Sequence, residues 1–237
     1  MFGRKLKADN FKKKFYEGRD PRDLPLYEVS EAARYLRISY FILYSWLRPF
    51  RFASPHGSDV GTLIRRPEGC KQLSFNNLIE AHVLKGLRLN HQMPTGEILE
   101  SIRYAEKELG IENLLTKEFK AGAKQMFVEH MGELISLGRG GQFSMGKMLD
   151  KYLQRITYEN SVAASLNPFV SESAERYIEI SPEISFGKPV VASAGIETRV
   201  IADRFELGEE NTDIAEDYGI TEAEVEEAIL YESKQAA

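Results

Sequence analysis

Ser39, Tyr40, Phe41, Tyr44, Ser45 and Arg48 recur at a spacing that places them together on one side of a short helix. Their chemistry is recognition rather than bond-breaking. Hydroxyls, aromatic rings and a guanidinium on an exposed helix face suit a DNA groove and its phosphates. Tyr40, Phe41 and Tyr44 occupy places where a DNA-facing helix often carries Arg, Asn or Gln. Contact with thymine methyl groups and burial in a protein interface are both open to them. Further along, Arg65 and Arg66 are cations suited to holding phosphates, which adds salt-dependent affinity without choosing a sequence.

Bond-making chemistry finds little footing. His56, His82, His91 and His130 are far apart, and none has a second ligand at metal spacing. Cys70, the single cysteine, has no histidine close in sequence and excludes an intrachain disulfide. His82 lies by an apolar stripe and reads as a core histidine. No enzyme, cofactor or metal site is expected.

The elements that position the first set lie in Leu26–Pro49. Ser30 is placed to cap a helix with Glu31 in its first turn. Ala32, Ala33 and Leu36 then share a face, and Ser39 is placed to cap a second helix from Tyr40 to Leu47. Pro49 stops it, having no N–H to continue the ladder. Two short helices crossing at small alanines predict a helix-turn-helix. The run Val29-Ser30-Glu31-Ala32-Ala33-Arg34-Tyr35-Leu36, followed by Ser39 and Trp46-Leu47, resembles the N-terminal motif of MerR-like DNA-binding domains. That resemblance implies a recognition helix starting at Ser39. After Pro49, Phe50–Ala53 and Thr62–Arg65 flank a turn-rich Ser54–Asp59, predicting a hairpin wing.

Beyond the wing, Ser74 is placed to cap a helix whose stripe is Phe75, Leu78, Ile79, His82, Val83 and Leu87. Thr95–Leu109 predicts another, with Ile98, Leu99, Ile102 and Ala105 inward and Gly110 ending it. Short apolar runs at Lys124–Glu129 and Glu133–Leu137 read as a hairpin. Gly138-Arg139-Gly140-Gly141 lacks the ending of a phosphate loop and reads as a linker. It leads into a helix lined by Met145, Met148, Leu149, Tyr152, Leu153 and Ile156. Thr157–Glu175 reads as loop with one strand at Val162–Leu166. The tail predicts strands at Tyr177–Ile180 and around Val190, then helices at Thr198–Leu207, Thr212–Tyr218 and Thr221–Tyr231. Thr221 and Glu224 form a capping box.

The net charge of −5 is unevenly spread. Residues 1–66 hold fourteen Lys and Arg against seven Asp and Glu, residues 67–171 hold twelve of each, and residues 172–237 hold five against seventeen. A basic head suits DNA. An acidic tail repels it and suits a basic protein surface. The tail acids Glu222, Glu224, Glu226 and Glu227, with Arg204, are the candidate partner-binding residues.

Ile180-Ser181-Pro182, Phe186-Gly187-Lys188-Pro189-Val190, Arg204, Gly208-Glu209, Ile214–Gly219 and Val225–Ala228 resemble a small antitoxin domain long catalogued as of unknown function. Leu73–Leu84 and Gly138–Gln142 are similar to longer, VapB-type antitoxins that place a DNA-binding head before this tail. The compact Gly-Thr-Arg turn frequent in the short domain is replaced here by Ala192–Thr198. The resemblance implies a type II toxin–antitoxin role with a PIN-type ribonuclease toxin as partner and repression of its own operon.

The fold expected is mainly α with small β-hairpins. Residues 1–25 form a basic arm and 26–110 a winged helix-turn-helix domain with supporting helices. Residues 111–171 form a hairpin-plus-helix middle of α/β character, and 172–237 an acidic three-helix unit resembling a second helix-turn-helix. Operator DNA and a toxin are the expected partners of a homodimer in the cytoplasm, without membrane association. Two other readings stand beside this one. In the first, a MerR-like regulator binds a ligand between Met145–Ile156 and Gln125–Leu137. In the second, the aromatic face serves protein assembly alone.

Overall fold

Tyr27 and Leu73 exchange backbone hydrogen bonds as an isolated antiparallel bridge, which sets the start of the first helix beside the start of the third. The computed structural model describes residues 18–54, 57–90, 93–110, 113–116, 121–134, 139–169 and 175–233. Lys5, Lys7, Lys12, Lys13 and Lys14 of the basic arm, with His56, His91 and Gly138, lie outside them.

Helix α1 (Val29–Leu36) starts one residue before Ser30, because the Glu28 N–H is taken by the Glu31 carboxylate at 2.9 Å. The reciprocal acid, not the serine, organises this terminus. Arg37 takes the left-handed conformation at φ 52° and turns the chain into α2 (Tyr40–Trp46). Ser39 stands at the N-cap position, but its side chain makes no capping bond. Ala32, Ala33, Leu36, Leu43 and Trp46 are buried where the two helices meet.

Strands β1 (Phe50–Ser54) and β2 (Gly57–Gly61) pair antiparallel. The second strand therefore precedes the expected Thr62–Arg65. Leu63 and Ile64 are buried instead, and the Ile64 N–H reaches the Trp46 carbonyl at 3.1 Å. Apolar character there serves the core, not the hairpin. Asp59 of β2 is ion-paired with Arg103, and the Arg103 guanidinium lies 5.1 Å from the Phe52 ring centre. The hairpin is thereby tied to the body of the protein.

Helix α3 (Phe75–Lys85) is capped reciprocally by Ser74 and Asn77, as its sequence predicts in part. Helix α4 (Thr95–Leu109) buries Ile98, Leu99, Ile102 and Ala105 and ends at left-handed Gly110. The predicted hairpin is instead helix α5 (Ala121–Leu134) as far as Leu134, and residues 135–137 lie outside the described residues. Phe127, Val128 and Met131 are buried at i, i+1 and i+4, the helical alternative that short apolar runs leave open. Helix α6 (Arg139–Leu153) absorbs Arg139, Gly140 and Gly141, which are therefore not a linker.

The class is mixed α/β rather than mainly α, because a five-stranded antiparallel sheet follows α6. Its order is β3 (Ile156–Glu159), β4 (Val162–Leu166), β5 (Ile178–Ile180), β6 (Pro189–Val191) and β7 (Ile196–Glu197). Strand β3 occupies a stretch expected to be loop, and a bulge between Thr157 and Tyr158 obscures its alternation. Helices α7 (Thr198–Glu206), α8 (Asn211–Tyr218) and α9 (Glu222–Ser233) complete the chain. They enclose a second core of Ile178, Val191, Ile201, Ile214, Val225, Ala228 and Tyr231.

Candidate functional site

An α-helix advances about 100° per residue, so Tyr40, Phe41, Tyr44 and Ser45 share an arc of about 140°, and Arg48 follows the helix. Leu43, Trp46 and Leu47 point inward and are buried, which forces that arc to the surface. Tyr40, Phe41 and Tyr44 are 44%, 78% and 37% exposed. Their rings form one cluster. Tyr40 stacks on Tyr44 at 5.7 Å and 10°, and meets Phe41 edge-on at 5.7 Å and 82°. Arg48 extends the cluster with its guanidinium 5.9 Å from the Tyr44 ring centre. The Ser45 hydroxyl donates to the Ile42 carbonyl at 2.7 Å, so its hydrogen is turned onto its own helix.

Arg65 is exposed, and Arg66 is half-buried with Nη1 donating to the Lys71 carbonyl at 3.3 Å. From Ala32 to Arg66 the chain carries Arg34, Arg37, Arg48, Arg51, Arg65 and Arg66, and its only acid is Asp59. The Arg103 contact holds Asp59 below the usual carboxylate range, after the larger effect of the Val60 N–H. Of these arginines Arg48, Arg51 and Arg65 are exposed, whereas Arg34 and Arg37 reach α9.

The tail acids are not equivalent. Glu222 and Glu226 face solvent. Glu224 is buried as the cap of α9, accepting from the Thr221 N–H and hydroxyl at 2.8 Å each. Glu227 is half-buried and acts electrostatically on Arg37 and Arg155. Arg204 is ion-paired with Glu209 and Asp217 and lies 5.1 Å from the Tyr218 ring centre, contacts that hold its guanidinium above its ordinary pKa. Arg204 and Glu224 thus build the tail unit itself. Glu232, near the end of α9, has a side chain only 3% exposed. It bridges Arg34 Nη1 at 3.0 Å and the Thr198 hydroxyl at 2.5 Å.

Glu232 belongs to a contact the sequence does not announce, between α9 and α1. Arg37 Nη2 donates to the carbonyls of Leu230 and Tyr231 at 3.1 Å each, and the Tyr231 hydroxyl donates to the Tyr35 carbonyl at 3.0 Å. Gly187, from the Phe186-Gly187-Lys188-Pro189-Val190 motif, packs on the Tyr27 ring at the foot of α1. Lys85 Nζ donates to the Leu36 carbonyl at 2.8 Å, and burial, aided by nearby Arg37, brings its pKa down to about 8. The tail and the first helix are one packed assembly.

A cleft of about 280 Å³ lies between Thr62–Pro67, the start of α3, and α4. Glu80 lines it, accepting from Asn77 Nδ2 at 3.0 Å, and burial pushes its carboxyl up to about 7. Its lining comes from other elements than Gln125–Leu137 and Met145–Ile156, between which the ligand-binding alternative expects a pocket. His82 is the expected core histidine. Its ring nitrogen is 3.0 Å from the Tyr152 carbonyl, and burial pulls its pKa down to about 3. Among the described residues no group of His, Cys, Asp and Glu could hold a metal ion, and no helix is long and apolar enough to cross a membrane.

Residues 178–231 match the family described as "Protein of unknown function (DUF433)". A Mycobacterium tuberculosis protein named "Putative antitoxin VapB45" is 25% identical over 225 residues, spanning 87% of this chain and 93% of that protein. The crystal structure of Rv2018 from Mycobacterium tuberculosis shares the fold, with a TM-score of 0.66 at 21% identity over 87% of this chain and 98% of that one.

Proposed function

We propose that this chain is a DNA-binding antitoxin that neutralises a PIN-type ribonuclease toxin and represses its own operon. The observation that carries the reading is the similarity to the protein named "Putative antitoxin VapB45" along 93% of that protein's length, so that head and tail are matched together. Helices α1 and α2 then act as a MerR-like helix-turn-helix, with β1 and β2 as its wing. The exposed Arg48, Arg51 and Arg65 support contact with phosphates. The exposed acids Glu222 and Glu226, with Asp213 and Glu216 nearby on α8, support docking of a basic protein. A homodimer follows from the half-site logic of this motif, in which a two-fold protein meets a palindromic operator. The chain is proposed to have no catalytic activity of its own.

The test uses the intact chain, because residues 178–197 supply three strands of the sheet and α9 braces α1. The chain is co-expressed with the product of the neighbouring gene, purified through a tag on that product, and tested for a mobility shift on its own upstream DNA. Co-purification that Glu222→Lys with Glu226→Lys weakens, together with a salt-sensitive shift, is the expected result. Failure to co-purify overturns the toxin-binding half, and a missing shift overturns the repressor half.

A further inference from the structure

We propose that α2 reads thymine through its 5-methyl group, with Phe41 as the reading side chain; this rests on the DNA-binding reading above. In the major groove, purines are distinguished mainly by Arg, Lys, Asn or Gln making paired hydrogen bonds, whereas thymine alone among the four bases presents a methyl group. The outer face of α2 carries no Asn, Gln or Lys. Its one guanidinium, Arg48, follows the helix and lies over Tyr44. The Ser45 hydroxyl hydrogen is taken by the Ile42 carbonyl. Beside the hydroxyls of Tyr40 and Tyr44, the most exposed group of the face is an apolar ring, Phe41, 78% exposed and held edge-on by Tyr40, itself stacked on Tyr44. A pre-positioned ring of this kind loses little freedom on binding, and it has no polar atom with which to read any other group on a base edge.

Duplex DNA is the occupant to which the charge commits this face. Arg48, Arg51 and Arg65 are exposed here, and Asp59, the only acid between Ala32 and Arg66, is held by Arg103. A second copy docked through the same patch on a two-fold axis would bring Arg48 towards Arg48 with no acid between them.

The experiment needs no prior operator. Duplexes that bind the full chain are selected from a random pool, and the best is resynthesised with deoxyuridine in place of thymidine, which removes only the methyl groups. Affinity is measured at one fixed salt concentration for the wild type, Phe41→Ala and Phe41→Leu. Each contacted methyl is worth about threefold to fourfold in affinity, so a wild-type loss of about threefold to tenfold on the uracil duplex is expected. Phe41→Ala should bind the thymine duplex more weakly and show no difference between the two, while Phe41→Leu retains part of the preference. Equal wild-type affinity for both duplexes overturns the inference and leaves DNA binding standing. A thymine preference that survives in Phe41→Ala overturns the assignment to Phe41. No selection of any duplex overturns the DNA-binding reading itself, and this inference with it.

Discussion

Arg37 and Tyr231 each cap the other's helix. Arg37 Nη2 satisfies the carbonyls of Leu230 and Tyr231 near the end of α9, and Tyr231 Oη satisfies the carbonyl of Tyr35 near the end of α1. The guanidinium also lies 5.3 Å from the Tyr231 ring centre. The last carbonyls of a helix have no partner within it. At α1 all four find one elsewhere: Ala33 from the Ile38 N–H, Arg34 from the Arg37 N–H, Tyr35 from Tyr231, and Leu36 from Lys85. Tyr231→Phe leaves one buried acceptor unmet and should cost about 1–2 kcal/mol in urea unfolding. Arg37→Ala removes charge-assisted bonds and should cost about 2–3 kcal/mol. The double variant should cost less than the sum, because the pair shares one contact. Strict additivity would mean that the two caps are independent.

Two groups in the head, His82 buried and Glu80 half-buried, give opposite pH dependences. His82 has its pKa lowered to about 3, so below about 6.5 the unfolded chain binds a proton that the folded chain refuses. Its effect is a loss of stability as pH falls, about 1.4 kcal/mol per unit. Glu80 has its pKa raised to about 7, so between about 4.5 and 7 the folded chain holds a proton that the unfolded chain has released. Its effect is a gain of similar slope as pH falls. From pH 6.5 to 4.5 the two should nearly cancel, and below 4.5 His82 acts alone. Glu80→Gln should therefore make acid destabilisation begin near pH 6.5, two units earlier. His82→Gln should leave a chain that gains stability on acidification to pH 4.5. Denaturant titrations at pH steps check both slopes.

What local pattern dictates was legible. The α1–α2 pair, the Ser74 cap, the α4 stripe and the Thr221–Glu224 capping box each depend on residues within a few positions of one another. The helix at 121–134 reads as a hairpin in sequence because short apolar runs fit either period. The sheet was underestimated because β4 and β5 are paired only at Leu166 and Ile180, across a long separation that no local pattern records. In the candidate site the exposed aromatic face was legible from spacing. The fate of the tail acids was not. Glu222 and Glu232 are alike in sequence, yet one faces solvent and the other is buried against Arg34 and Thr198, a difference set by where α9 docks.

Gly187 is the point where the tail motif meets the head. Its φ is +79°, and a Cβ there would sit 2.2 Å from the Tyr27 hydroxyl oxygen. That hydroxyl is buried and has no hydrogen-bond partner among the described residues. Gly187→Ala should destabilise by about 2 kcal/mol or more, from backbone strain and overpacking together. Tyr27→Phe removes a polar atom that gains nothing where it lies, so it should be neutral or stabilising. Adding it to Gly187→Ala should recover part of the loss, since the nearest remaining ring carbon is 2.9 Å away. Recovery of none would assign the whole cost to the backbone.

Arg65 and Arg66 differ in what they have to spare. Arg65 is exposed beside the hairpin, while Arg66 is half-buried and already donates to the Lys71 carbonyl. A phosphate contact releases a counterion, and each one adds about 0.9 to the slope of log affinity against log salt. Arg65→Ala should therefore flatten the slope by about 0.9 on any duplex, weakening related and unrelated sequences alike. Arg66→Ala should flatten it less, because its guanidinium must leave a backbone acceptor to reach a phosphate. Measured by fluorescence anisotropy across a salt series, an unchanged slope for Arg65→Ala would place that side chain outside the DNA interface. An Arg66 effect larger than that of Arg65 would turn the docking surface towards the Lys71 side of the hairpin.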